Sequence, residues 1–358
     1  MRLPRRLLPV LLVGAAALAS GVRAPASAAV PAVLRVTTTA DGVDTHPGDG
    51  VCRTAAGTCS LRAAAQEANA LRGPQTVVLP AGRFELTRPT RWLLPSQTAD
   101  LETNTANGDL DLFGATTVVG AGAGRTVIDP NRLDRAFYVL PMATLRLTDL
   151  TITGGDATTN DRTPFDIALG GAVLNTGHLT VDRVRLVANR ADGGGAIFST
   201  PFTQPTVRDS LIAGNTAVEG GGLRLDGGGL VVNTTITRNS LFFRDFSRFI
   251  PDEITGYGGG IDHRGSGNVT LIGSTISDNT ALKAGGGYNS GQDYVPVAAL
   301  TTYWPFRTYL QDTTITGNTV AGVPSDCHTS SMVIVSRGGN TDSDGSCSLT
   351  AATDHPAR

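Results

Sequence analysis

Lysine is all but missing from this chain: Lys283 is the only one in 358 residues, and charged side chains make up 17% of the total. Aromatic residues reach only 5%, with two tryptophans, and there are three methionines and four cysteines. These shortages exclude several classes. Taking Arg2, Arg5, Arg6 and Arg23 of the leader from the 29 basic residues leaves 25 against 31 acidic ones, a net charge of −6. Such a surface does not attract polyphosphate, so nucleic acid and anionic lipid are poor partners. Cysteine and histidine spacing gives no zinc set, and no Gly-x-Ser-x-Gly elbow is present. Glycine is plentiful, at 44 residues, but lacks the every-third-residue period of collagen.

Arg2, Arg5 and Arg6 precede an apolar run, Leu7 to Leu18, and Ala26-Ser27-Ala28 follows. That order is the n-region, h-region and cleavage site of a secretory signal peptide. Residues 1–29 are therefore expected to be removed and the protein exported, without membrane insertion because no later apolar stretch reaches spanning length. Export permits disulfides. Four cysteines allow three pairings; Cys52 with Cys59 and Cys327 with Cys347 are favoured, because each local bond would staple one end of the chain.

A repeat dominates what remains. Segments starting at Leu145, Leu179, Pro205, Gly229, Val269 and Thr308 align without gaps. Two residues on, the column reads Leu147, Val181, Val207, Val231, Leu271, Leu310. Seven on, it reads Ile152, Leu186, Ile212, Ile236, Ile276, Ile315. Ten on, it reads Gly155 and then Asn189, Asn215, Asn239, Asn279, Asn318. A small or polar column holds Ser210, Thr234, Ser274 and Thr313. Glycine pairs or triplets follow each turn, as at Gly220–Gly222 and Gly258–Gly260. A fixed core with elastic loop lengths suits a solenoid of stacked coils. Asparagine can occupy a left-handed corner and bond the same amide in the next coil. The expected fold is all-β: a single-stranded right-handed parallel β-helix over residues 76–336. An N-terminal cap over 30–75 would carry a helix from Ser60 to Leu71, with Ser60 as its N-cap. Thr76–Leu79 and Val118–Ile128 would be early strands, and 337–358 a disulfide-stapled tail.

The run Pro47-Gly-Asp-Gly-Val-Cys52, followed by Cys59-Ser-Leu-Arg-Ala-Ala-Ala-Gln-Glu-Ala-Asn69, resembles the CSLREA-type N-terminal region of secreted bacterial β-helix proteins. Val78–Gly82, Val119–Asp129, the glycine-rich coils and Asp342–Cys347 look like the same group. Ala63 departs from it, standing where the name motif has glutamate. The resemblance implies a pectate-lyase-like β-helix in an extracellular setting. It brings no catalytic set with it.

Insertions interrupt a solenoid where something besides stacking is at work. Residues 240–257 and 288–307 hold 10 of the 19 aromatic side chains, including Tyr257, Tyr288, Tyr303 and Trp304. These loops are expected to wall a groove whose floor is the strand after each glycine run. Leu174, Phe198, Arg224, Asp262 and Asn289 align in one column there; Asn175, Ser199, Leu225, His263 and Ser290 form the next. Alternate residues face opposite sides, and the first column is assigned to the groove. Aromatic walls over a polar floor suit sugar rings, although the same aromatics could form satellite cores under long loops.

Lyase cleavage of a uronan needs a base and a cation for the developing enolate. His263 or Arg264 is the candidate base, beside Asp262. Arg224, Tyr257, Tyr288, Asn289, Tyr303 and Trp304 are the candidate substrate contacts. Hydrolysis would need two carboxylates at a set separation, and Asp226 and Asp262 lie in different columns. Asp262 and Arg224 could equally be a surface ion pair. No cofactor is required. Calcium is the one ion the sequence leaves open: Asn340–Gly345 has the front half of a calcium loop, but Ala351 stands in place of its closing glutamate, and Asp41, Asp44 and Asp49 cluster elsewhere. The expectation is an exported monomer engaging extracellular polysaccharide. It would act as a lyase or other carbohydrate-active enzyme, or as a non-catalytic surface or adhesion module, or be a purely structural protein.

Overall fold

A computed structural model describes residues 31–90, 105–160, 168–244, 255–291, 306–330 and 332–356. Strands such as Thr235–Thr237 and Thr275–Ser277 carry one β-branched apolar residue between two polar ones. At the two-residue period of a strand, the middle side chain points inward and its neighbours outward. Neither strand can bury its isoleucine alone, so burial requires a coil above and a coil below.

The result is a right-handed parallel β-helix with three main sheets. The first has ten strands, from Val33–Arg35 to Val333–Ser336, and the second ten, from Gly82–Glu85 to His355–Pro356. The third has eight, from Leu110–Leu112 to Cys327–Thr329. A fourth, short ladder starts at Thr216–Ala217 and ends in an antiparallel pair, Thr319–Val320 with Val323–Pro324. The apolar columns stack as the repeat requires: Ile152, Leu186, Ile212, Ile236, Ile276 and Ile315 are register partners in turn. None of them is more than 1% exposed.

Beside this column runs a buried amide ladder. The Asn189 amide donates to Asn215 Oδ1 at 3.0 Å, and Asn215 to Asn239, Asn239 to Asn279 and Asn279 to Asn318 at 2.9 Å each. Each Oδ1 also accepts the backbone N–H of the preceding asparagine. Asp326 closes the ladder by accepting from both the backbone and the side chain of Asn318. One expectation is corrected here. The left-handed corner is taken not by the asparagines but by the residue before each: Ala188, Gly214, Arg238, Asp278 and Gly317, with φ between 54° and 66°. Asparagine serves as a buried rung and its neighbour makes the bend. The glycine triplets have a separate cause, since a Cβ on Gly221 would lie 2.4 Å from the Gly259 carbonyl oxygen.

The helix, α1 (Leu61–Ala70), covers the open end of the first coils. Ser60 caps it, accepting from the Ala63 N–H at 3.0 Å. The polar residues of the N-terminal motif hold this lid in place. Buried Arg62 pairs with Asp41 at 2.7 Å and donates to the Thr105 and Gly108 carbonyls. Glu67 accepts the Gly48 and Gly50 N–H groups, and Asn69 donates to the Asp111 carbonyl. Disulfides join Cys52 to Cys59 and Cys327 to Cys347.

Two boundaries differ from expectation. Val33–Arg35 and His355–Pro356 already belong to the main sheets, so cap and tail are continuous with the solenoid. Val118–Ile128 is two strands in different sheets, Ala115–Val119 and Thr126–Asp129. Among the described residues no helix is long and apolar enough to cross a membrane.

Removing one rung by Asn239→Ala takes the acceptor from Asn215 and the donor from Asn279. Chemical denaturation is expected to show a loss of about 2–4 kcal/mol. Thr314→Ala, on the outward face two coils away from that ladder's centre, should change stability by less than about 0.5 kcal/mol.

Candidate functional site

The third sheet aligns its strands so that Asp111, Tyr138, Leu174, Phe198, Arg224, Asp262, Asn289 and His328 form one file. In Leu223–Leu225 the two leucines are buried and Arg224 between them is part-exposed, which fixes this file as the outward one. The expected floor column is therefore the outer one, and Asp111, Tyr138 and His328 extend it at both ends.

Its polar half is a continuous charge network. Arg224 pairs with Glu219 and, at 3.0 Å through Nε, with Asp226. Arg264 reaches Asp262 at 2.8 Å and Glu219 at 3.4 Å. Asn289 donates to Asp262 at 2.7 Å, and His328 Nδ1 lies 2.9 Å from Asn289 Oδ1. The Tyr257 ring flanks this chain, with Arg264 5.4 Å and Lys283 5.9 Å from its centre. Burial pushes the Asp226 carboxyl above the ordinary carboxylate range; Arg224 opposes the shift and Asp262 adds to it. A buried carboxyl held toward its neutral form beside guanidinium groups is a group able to give up a proton.

Two expected site residues face the other way. His263 and Tyr288 have no exposed surface and point into the solenoid. His263 Nε2 donates to the Gly267 carbonyl at 3.1 Å, its Nδ1 accepts from the Tyr288 hydroxyl at 3.1 Å, and that hydroxyl meets Thr308. Burial lowers the His263 pKa to about 4 and raises that of Tyr288. His263 is thus a neutral core residue with both nitrogens engaged, and it has no path to a proton in the groove. Tyr288 supports it from within and is no wall residue. Asp262 and Asn289 belong to the outer file but are themselves buried. Tyr303 and Trp304 lie outside the described residues.

Glu219 and His328 were not singled out from the sequence. Glu219 sits directly before the Gly220–Gly222 run, as Tyr257 sits before Gly258–Gly260, and the Gly220 N–H bonds to the Tyr257 carbonyl in the next coil. Extending the alignment one residue ahead of the glycines would have found the pair. Elsewhere, Asp326, Asp342 and Asp344 place carboxylate oxygens within 4.8 Å of one another. Their oxygens already accept from Asn318, Ser343, Cys347 and Ser346. On the first sheet a depression lined by Gln204, Thr206, Leu230, Asn268 and Thr270 carries no titratable group.

No protein-family model and no curated protein sequence matches the chain. Two solved structures are similar to it. Pectate lyase Pel9A has 14% identity and a TM-score of 0.39, over 87% of this chain and 62% of that one. The A-module of the Azotobacter vinelandii mannuronan C-5 epimerase AlgE4 has 16% identity and a TM-score of 0.37, over 84% of this chain and 85% of that one. The chain thus spans less than two thirds of the pectate lyase. Neither likeness assigns a role to any residue.

The His263 shift has a consequence for stability. Its folded pKa, about 4, lies below the ordinary 6.5, so between these values the unfolded chain binds more protons. Stability from this group is complete above pH 6.5 and is lost as pH falls toward 4, by on the order of 3 kcal/mol. Denaturation midpoints measured across that range should fall steeply for the wild type and less steeply for His263→Leu.

Proposed function

We propose that this protein engages a polysaccharide outside the cell, along the outer file of the third sheet. The observation that carries the reading is the file itself. Eight register-matched residues run parallel to the solenoid axis, one per coil, over roughly 34 Å at the usual strand spacing. A linear ligand of repeating units matches a linear row of repeating contacts. Half-buried Tyr138 and Leu174 offer apolar surface at one end, and Arg224 and His328 offer polar groups at the other, held in place by the buried Phe198, Asp262 and Asn289. Sugar rings present both kinds of surface. The two disulfides suit an oxidising compartment.

Two forms of this reading differ in whether turnover follows binding. In the carbohydrate-active form, Asp226 is the proton donor, because it combines a raised carboxyl with a half-buried position against Arg224. Arg264 fits less well as a base, since Asp262 and Glu219 both hold its guanidinium. In the surface or adhesion form, the same row binds without cleaving.

A glycan array followed by calorimetry tests the proposal. Tyr138→Ala and Arg224→Gln should each weaken retention about tenfold with the fold intact by circular dichroism. Unchanged affinity in both would remove the site. Product formation that disappears in Asp226→Asn, with binding kept, would establish the catalytic form.

A further inference from the structure

The charge accounting of the outer file bears on which sugar it accepts. Arg224 and Arg264 are the two guanidiniums on it, and both are occupied. Arg224 is held by Glu219 and Asp226, and Arg264 by Glu219 and Asp262. Three carboxyl groups thus surround two guanidiniums. Nearby, Arg244 is engaged by Asp192, with Nη1 at 2.8 Å from both carboxylate oxygens.

A uronate on the file itself would have to take a guanidinium from a carboxylate the protein already supplies; Lys283 is not a member of the file and stands against the Tyr257 ring. The displaced carboxylate would then stand partly buried beside a second negative charge, which costs more than one new ion pair returns. Hydroxyl groups meet no such conflict. They can share the remaining lone pairs of Glu219 and Asp226 and the donors of Arg224 without separating any pair. The other half of the file points the same way. Tyr138 and Leu174 are half-buried neighbours on adjacent strands, an uncharged surface that fits the C–H face of a hexose ring; Phe198 beyond them is buried, with Arg224 5.3 Å from its ring centre.

Resting on the proposed function, we infer that the outer file of the third sheet accepts an uncharged hexopyranose polymer and rejects polyuronates. The cleavage open to it would then be hydrolysis, because β-elimination needs the carboxylate that acidifies the neighbouring C–H.

The experiment is a parallel binding measurement on the full exported chain. Neutral polymers (a β-glucan, a mannan and a galactan) are set against polygalacturonate and alginate, at low and at high salt. The expected result is retention of at least one neutral polymer, little changed by salt, with at least tenfold weaker retention of both uronans. Leu174→Glu should weaken the neutral polymer about tenfold or more. Lys283→Ala, which removes the ammonium beside Tyr257, should leave its binding unchanged. Tight, salt-sensitive binding of a uronan that is lost in Lys283→Ala would overturn the inference and leave the polysaccharide reading standing. Binding to none of the five polymers would overturn both. Melting curves of each variant separate loss of contact from loss of fold.

Discussion

Everything in this protein depends on the vertical match between one coil and the next, and the asparagine ladder is where that match is enforced most strictly. An amide in the interior must find partners or forfeit the cost of desolvation. Each rung meets that demand only if the next asparagine sits directly above it. A slip of one residue would bury five amides without partners and turn the isoleucine column outward. The apolar columns favour stacking in general, whereas the amides favour this register alone.

The outer file inherits its order from the same register. Arg224, Asp262 and Asn289 come from coils 38 and 27 residues apart in sequence, yet they are neighbours because their strands are locked in step. The loops between coils vary in length without disturbing it. This is how a solenoid separates stability from specificity: the inward positions repeat, and the outward positions on the same strands are free to differ. Asp226 shows the division within three residues, since Leu225 is core while Arg224 and Asp226 belong to the site.

Much of this was legible in the chain before folding. The Leu147, Ile152 and Asn189 columns could be read because their positions recur whatever the loop length. The file of Arg224, Asp262 and Asn289 followed from aligning on the glycines. The misreadings have physical causes. Asp262 and His263 are adjacent and both polar, so composition does not say which of them faces inward; the neighbouring coil does, because Leu225 is the register partner of His263. Tyr288 resembled a wall aromatic until its hydroxyl proved to be the internal partner of His263. The corner residues before the asparagines (alanine, arginine, aspartate and glycine in different coils) share a backbone conformation and no side-chain type, so no residue pattern could mark them. The part played by the Cys59–Asn69 run is three-dimensional: Arg62, Glu67 and Asn69 tie distant loops to the lid.

The most direct test of the ladder's role is residue-resolved hydrogen exchange on the backbone and side-chain amides of Asn189, Asn215, Asn239 and Asn279. If the ladder sets the register, these amides should exchange only through the global opening of the solenoid and share one protection free energy. Amides of the corner residues should exchange sooner. Fast, unequal exchange of the four asparagines in an otherwise folded protein would contradict this, because the coils would then be holding their register by other means.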